Sequence, residues 1–80
     1  MTPINWINAR QYEAEITDEH GRLIFVRASR PDGKAEWSAE AVFADAPPRV
    51  QPLFAKGKTR DLAGAEAVRR LLRDYPPGSF

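Results

Sequence analysis

Few side chains in this 80-residue chain have the type and spacing to do chemistry. The sole histidine, His20, sits in the stretch Asp18-Glu19-His20-Gly21. A general base needs a Ser or Cys nucleophile and an orienting group, and a metal ligand needs partners at helical or strand spacing. His20 has neither, so it reads as an exposed turn residue. The carboxylates Glu13, Glu15, Glu36 and Glu40 form a second group. Paired carboxylates cleave glycosides when a cleft raises the pKa of one of them. These four fall on the open face of a sheet, which favours a solvated surface, or a docking surface for a basic partner, over catalysis.

Gly57-Lys58-Thr59 has the ending of a phosphate-binding loop. The full pattern needs Gly at position 52, where backbone N–H groups curl around phosphate. Position 52 is Pro, which has no N–H, so the tripeptide reads as a helix entry with a Thr cap. The last group is cationic: Lys56, Lys58, Arg60, Arg69, Arg70 and Arg73. A Lys-bearing loop that feeds the positive end of a helix can grip phosphates of a nucleic acid. Against that, Glu66 can pair with Arg69 or Arg70, and Arg70 with Asp74, at helical spacing. A salt-bridged, solvated helix face therefore competes with phosphate contact.

Composition closes several other routes. There is no Cys, which excludes a thiol nucleophile, a thioredoxin-type centre, an iron–sulfur cluster and a Cys-based zinc site. No catalytic residue, metal or cofactor is expected. The longest apolar run is Leu23-Ile24-Phe25-Val26, against the ~20 residues of a membrane span. Met1-Thr2-Pro3-Ile4-Asn5-Trp6 lacks a basic region followed by an apolar stretch, so it does not read as a secretory signal. A cytoplasmic protein with no membrane partner is the expectation. Abundant Ala and a preference for Arg over Lys suggest a GC-rich bacterial genome. Net charge is +1, but residues 1–48 carry five Lys/Arg against eight Asp/Glu, and residues 49–73 carry seven against two. The chain is bipolar.

The elements that must position these groups follow from period and turn chemistry. Residues 10–17 alternate polar and apolar, with Tyr12, Ala14 and Ile16 on one face, and read as a strand. Asp18-Glu19-His20-Gly21 is a turn, residues 22–30 a second strand, and Pro31-Asp32-Gly33 a hairpin signal. Residues 35–43 alternate again. Pairing Thr17 with Arg22, and Arg30 with Lys34, places Tyr12, Ala14, Ile16, Leu23, Phe25, Trp37, Ala39 and Ala41 on the inner face. Arg27 then lies between Tyr12 and Trp37. The outer face becomes an apolar stripe of Ile24, Val26 and Ala28 flanked by Glu13, Glu15, Glu36 and Glu40.

Pro47, Pro48 and Pro52 make residues 44–58 a loop, with Val50, Leu53 and Phe54 tucked against the sheet as a lid or a short edge strand. A helix over residues 60–74 follows, capped by Thr59 or Asp61, with Leu62, Ala65, Val68, Leu71, Leu72 and Tyr75 as its buried stripe. Residues 1–9 fit a short helix or an edge strand. The expected architecture is one α+β domain over residues 1–80: a three-stranded antiparallel sheet, with a short fourth strand allowed, packed on one C-terminal helix.

The strand–strand–strand–helix order resembles the latter part of a double-stranded RNA-binding domain. Gly57-Lys58-Thr59-Arg60, followed by a helix carrying Ala63, Ala65 and Ala67, is similar to that family's basic loop and final helix. Adjacent lysines would open that helix; here Arg60 and Asp61 stand there. The resemblance implies nucleic-acid binding through residues 56–73.

The residues themselves point first to a non-catalytic binding or regulatory module acting through protein–protein association, self-association included. The face expected to carry it is Glu13, Glu15, Ile24, Val26, Glu36 and Glu40. On that reading Val26→Glu weakens assembly and leaves the fold intact. Nucleic-acid binding through Lys56, Lys58, Arg60, Arg69, Arg70 and Arg73 is the alternative.

Overall fold

The computed structural model describes residues 6–8, 13–30 and 35–79. Five strands run as an antiparallel meander in chain order: β1 (Trp6–Asn8), β2 (Glu13–Thr17), β3 (Leu23–Ser29), β4 (Trp37–Phe43) and β5 (Leu53–Gly57). Helix α1 (Arg60–Asp74) follows β5 and covers one face of the β3–β4–β5 half. The α+β architecture is the expected one: β2 to β5 form an open antiparallel sheet against a C-terminal helix, and β5 is the short fourth strand. Of residues 1–9, Trp6–Asn8 pair with β2 as an edge strand. Tyr12, the Pro31-Asp32-Gly33 turn and the Arg30–Lys34 pairing fall at or across segments outside the described residues.

β2 and β4 turn the expected faces inward, and β3 is inverted. Thr17 pairs with Leu23 instead of Arg22, so Ile16 opposes Ile24 and Ala14 opposes Val26. Across the next ladder Val26 opposes Ala41 and Ala28 opposes Ala39. Both registers differ from the expected ones by an odd number of residues, and an odd shift exchanges the two faces of a strand. Ile24 and Val26 are therefore core residues, 0% and 2% exposed, while Phe25 faces away from the helix at 42%. Burial of each aliphatic side chain is worth about 1.5–3 kcal/mol.

The first turn explains its register. The Asp18 N–H donates to the Arg22 carbonyl at 3.0 Å, which leaves a three-residue loop, Glu19-His20-Gly21. Gly21 closes it at φ 78°, the left-handed position that follows a tight turn in three-residue hairpins. The Asp18 carboxylate accepts from the His20 and Arg22 backbone N–H groups at 2.9 and 2.8 Å. This side-chain turn fixes Asp18 opposite Arg22.

Thr59 is the helix cap: it is extended, and its hydroxyl accepts from the Leu62 N–H at 3.1 Å. Asp61 in the first turn and Arg73 in the last complement the helix dipole. The buried stripe is Ala63, Gly64, Ala67, Val68 and Leu71; Leu62, expected inside, is 58% exposed. The helix has turned its smallest residues to the sheet, where Ala28, Ala39, Ala41 and Ala55 meet them. Small residues on both sides permit a close approach. Gly57 marks its limit, because a Cβ there would lie 2.7 Å from the Ala63 backbone nitrogen. Val50 is buried and Leu53 half-buried against this core, but Phe54 points outward at 61% exposure.

The far end of the helix is stitched to the first turn. The Arg22 guanidinium donates to Asp18 at 2.7 Å and to the Tyr75 carbonyl at 2.8 Å, and lies 4.5 Å over the Phe43 ring. Tyr75 packs edge-on against Phe43, and its hydroxyl accepts from the Gln51 N–H at 3.2 Å. A cation at the helix C-terminus meets free carbonyls there. Burial works against ionisation of Asp18, whose side chain is 4% exposed, but the hydrogen bonds from Arg22 and His20 outweigh it and hold its pKa below the ordinary 3.8.

Candidate functional site

The helix leaves one face of the sheet open, and its residues follow from the ladders. One cross-strand row reads Glu15, Phe25, Val42, and the next Glu13, Arg27, Glu40, Phe54. Ser29, Ser38 and Lys56 make a third. Leu23, beside Phe25 on the same face of β3, extends the apolar centre. A shallow depression of about 330 Å³ over this centre is lined by Glu13, Glu15, Phe25, Arg27, Glu40 and Val42. Arg27 reaches Glu13 with its Nη2 at 3.1 Å from Oε1 and has Glu40 across the ladder on its other side.

Of the expected protein-binding face, the structure brings Glu13, Glu15 and Glu40 together. Ile24 and Val26 are removed from it, because they lie under the helix. Glu36 is exposed but precedes β4 and lies outside the three rows. Phe25, Val42, Leu23 and Phe54 supply the apolar surface in place of Ile24 and Val26. The signal for this was present in β3: its Ile24-Val26-Ala28 set is wholly apolar, whereas the alternate set carries Arg27, whose burial without a partner is costly. Arg27 also does not share a face with Trp37, which is in phase with the buried Ala39 and Ala41; Tyr12, the other ring of the expected cage, lies outside the described residues. The Arg27 side chain is 70% exposed, and the cation near Trp37 is Arg30, 5.7 Å from the ring centroid.

The basic residues are dispersed and mostly engaged. Arg69 and Arg70 both bond Glu66, Arg73 lies 3.3 Å from Asp74, and Arg60 lies 3.8 Å from Asp61. The Arg69 side-chain hydrogen bond is the chief reason the Glu66 pKa falls from 4.5 to about 2. Arg70 also donates from Nη1 to the Phe54 carbonyl at 2.9 Å, which joins the helix to β5. Lys56 is on the open face of the sheet, and Lys58 follows β5; both are exposed. Gly57 belongs to β5, and its missing side chain admits the helix, so its presence ahead of Lys58-Thr59 has a packing cause.

His20 is half-exposed at the turn, with Glu19 at 3.6 Å. It stands at the rim of an apolar crevice of about 270 Å³ between Ile16, Ile24, Val68 and Leu72. Among the described residues no three His, Asp or Glu side chains converge as a metal would require. No helix of the described residues is long and apolar enough to cross a membrane.

No family model matches the chain, and neither the curated proteins nor the solved structures contain a significant match to it. The resemblance to a double-stranded RNA-binding domain therefore rests on element order, and here a further strand, β5, stands between the third expected strand and the helix.

Proposed function

We propose that this domain is a non-catalytic binding module that acts through protein–protein association, with the helix-free face of the sheet as its contact surface. Phe25 carries the reading: it stands at the centre of that face, 42% exposed, beside Leu23 and Val42. Glu13, Glu15 and Glu40 border it. An aromatic anchor within a polar rim is the composition in which binding energy concentrates. Three carboxylates against Arg27 make the rim negative, so the partner that fits presents apolar side chains ringed by Lys or Arg. A second copy docked face to face would oppose like charges, which favours a different protein over a homodimer. The openness of the face supports a non-catalytic role, since carboxylates that do acid–base work need an enclosed site.

Selection of a random displayed-peptide library on the intact chain, with counter-selection on Phe25→Ser, tests this. Enriched peptides are expected to combine aromatic or aliphatic residues with Lys or Arg. Their affinity should fall by at least about tenfold in Phe25→Ser. An acidic consensus, or binding indifferent to Phe25, would overturn the reading. Sedimentation equilibrium of the same pair of proteins reads self-association: a dimer dispersed by Phe25→Ser would make the second copy the partner.

A further inference from the structure

At the β5 end of the open face the chemistry changes sign. Phe54, the most exposed large apolar side chain among the described residues at 61%, lies on the same side of β5 as Lys56, about 7 Å along the strand. Ser38 faces Lys56 across the ladder. Arg70 comes over the strand edge from the helix. Its Nη1 is held by the Phe54 carbonyl and its Nε by Glu66, while its Nη2 has no partner among the described residues. These groups line a groove of about 480 Å³: Ser38, Phe54, Ala55, Lys56 and Arg70. Among the described residues no carboxylate lines the groove itself, although Glu40 stands opposite Phe54 across the ladder and Glu66 holds Arg70 from behind.

An exposed aromatic ring between a lysine, an arginine and a hydroxyl has the two components of a nucleotide site. The ring offers a stacking platform that every base fits, and the cations meet the phosphate beside it. Duplex nucleic acid hides its base faces, so only an unpaired strand can use the ring. From this groove we infer that the domain has a second site, centred on β5 and sharing only Phe54 with the margin of the Phe25 surface, that takes single-stranded nucleic acid one or two nucleotides at a time. The contact lies on β5 and Arg70; the helix face of Arg69 and Arg73 is occupied by its own carboxylates.

Fluorescence anisotropy with labelled 12-nucleotide single strands of DNA and RNA, and a duplex of equal length, tests the assignment. The single strands are expected to bind more tightly than the duplex. With Lys56 and Arg70 as the phosphate contacts, affinity should fall about sevenfold between 50 and 200 mM salt. Phe54→Ala should weaken single-strand binding at least about fivefold. Lys56→Glu should weaken it too and flatten the salt dependence, and Phe25→Ser should leave it unchanged. Circular dichroism confirms that each variant is folded; Phe54 and Lys56 are both exposed. Equal binding of duplex and single strand, indifference to Phe54, or no binding at 50 mM salt and millimolar protein would each overturn the inference.

Discussion

Strand β3 serves two surfaces with opposite requirements. Its Ile24, Val26 and Ala28 lie buried under the helix, opposite Phe43, Ala41 and Ala39 of β4. Its Leu23, Phe25 and Arg27 lie on the other side, where Glu13, Glu15 and Glu40 are among the neighbours and no described element covers them. The residues alternate one by one, so neighbours in sequence belong to different environments. Under the helix β3 meets small and aliphatic side chains, with the buried Phe43 ring opposite Ile24. Its outer side carries the Phe25 ring and the Arg27 charge. Packing is the demand on one side; on the other, the proposed function asks for contact with a partner.

The sharpest way to break this contrast is to place one substitution at adjacent positions. Val26→Glu buries a carboxylate without a partner and should cost more than about 4 kcal/mol, enough to unfold a domain of this size. Phe25→Glu, which sets a carboxylate opposite Glu15, should cost no more than about 1–2 kcal/mol. Urea unfolding of both variants decides it. A stable Val26→Glu protein would mean that the two faces are exchanged. The burial of Val26 replaces the expectation that Val26→Glu spares the fold.

A smaller effect sharpens the account of the inner face. Gly57→Ala places a methyl 2.7 Å from the Ala63 nitrogen, and backbone cannot yield as a flexible side chain does. The expected cost is about 1–3 kcal/mol, read from the urea midpoint. Gly21→Ala is a useful comparison, because nothing stands near its Cβ and only its positive φ opposes the change.

The third prediction concerns the end of the inner face. Arg22→Ala removes the link between Asp18 and the Tyr75 carbonyl, at about 2 kcal/mol for charge-assisted hydrogen bonds in a half-buried site. Asp18 also makes stability depend on pH. Its folded pKa lies below 3.8, so between the two values the unfolded chain binds the extra proton, and stability rises with pH. The contribution is complete above 3.8 and is lost as pH falls through the folded value. Asp18→Asn should flatten the stability profile below pH 4. Glu66, held at about 2 instead of 4.5, titrates in the same direction, so Glu66→Gln is the control.

The smallest effect belongs to that exposed pair. Arg69→Gln breaks the ion pair within one helix turn and should leave the thermal midpoint nearly unchanged, since water and salt screen such pairs. A fall comparable to that of Arg22→Ala would show that the helix face matters to the fold as much as the buried stitch does.

Much of this was legible in the residues, and the failures have definite causes. The alternation of β2 and β4 fixed which of their sides is buried, and Ala14, Ala39 and Ala41 are where period two puts them. β3 opens with four consecutive apolar residues, so its period carries no preference, and the face had to come from the turns. Reading Asp18-Glu19-His20-Gly21 as a four-residue loop moved the register by one, and that sufficed to exchange Val26 and Phe25. On the helix, large side chains at regular spacing pointed to Leu62, whereas the sheet accepted Ala63, Gly64 and Ala67 because it is itself lined with alanine. Phe54 looked like a core residue for its type; its position on β5, one step out of phase with Ala55, sends it outward.

The sequence alone determined the class of fold, the order of its main elements, a helix start at Thr59 or Asp61, and the absence of any thiol chemistry, because these depend on local period, local turn chemistry and composition. Tertiary structure alone decided which side of β3 meets the helix, and that Phe54, Lys56 and Arg70 share a groove. These depend on contacts between residues far apart in the chain, where a shift of one residue reverses a face and no local signal registers the change.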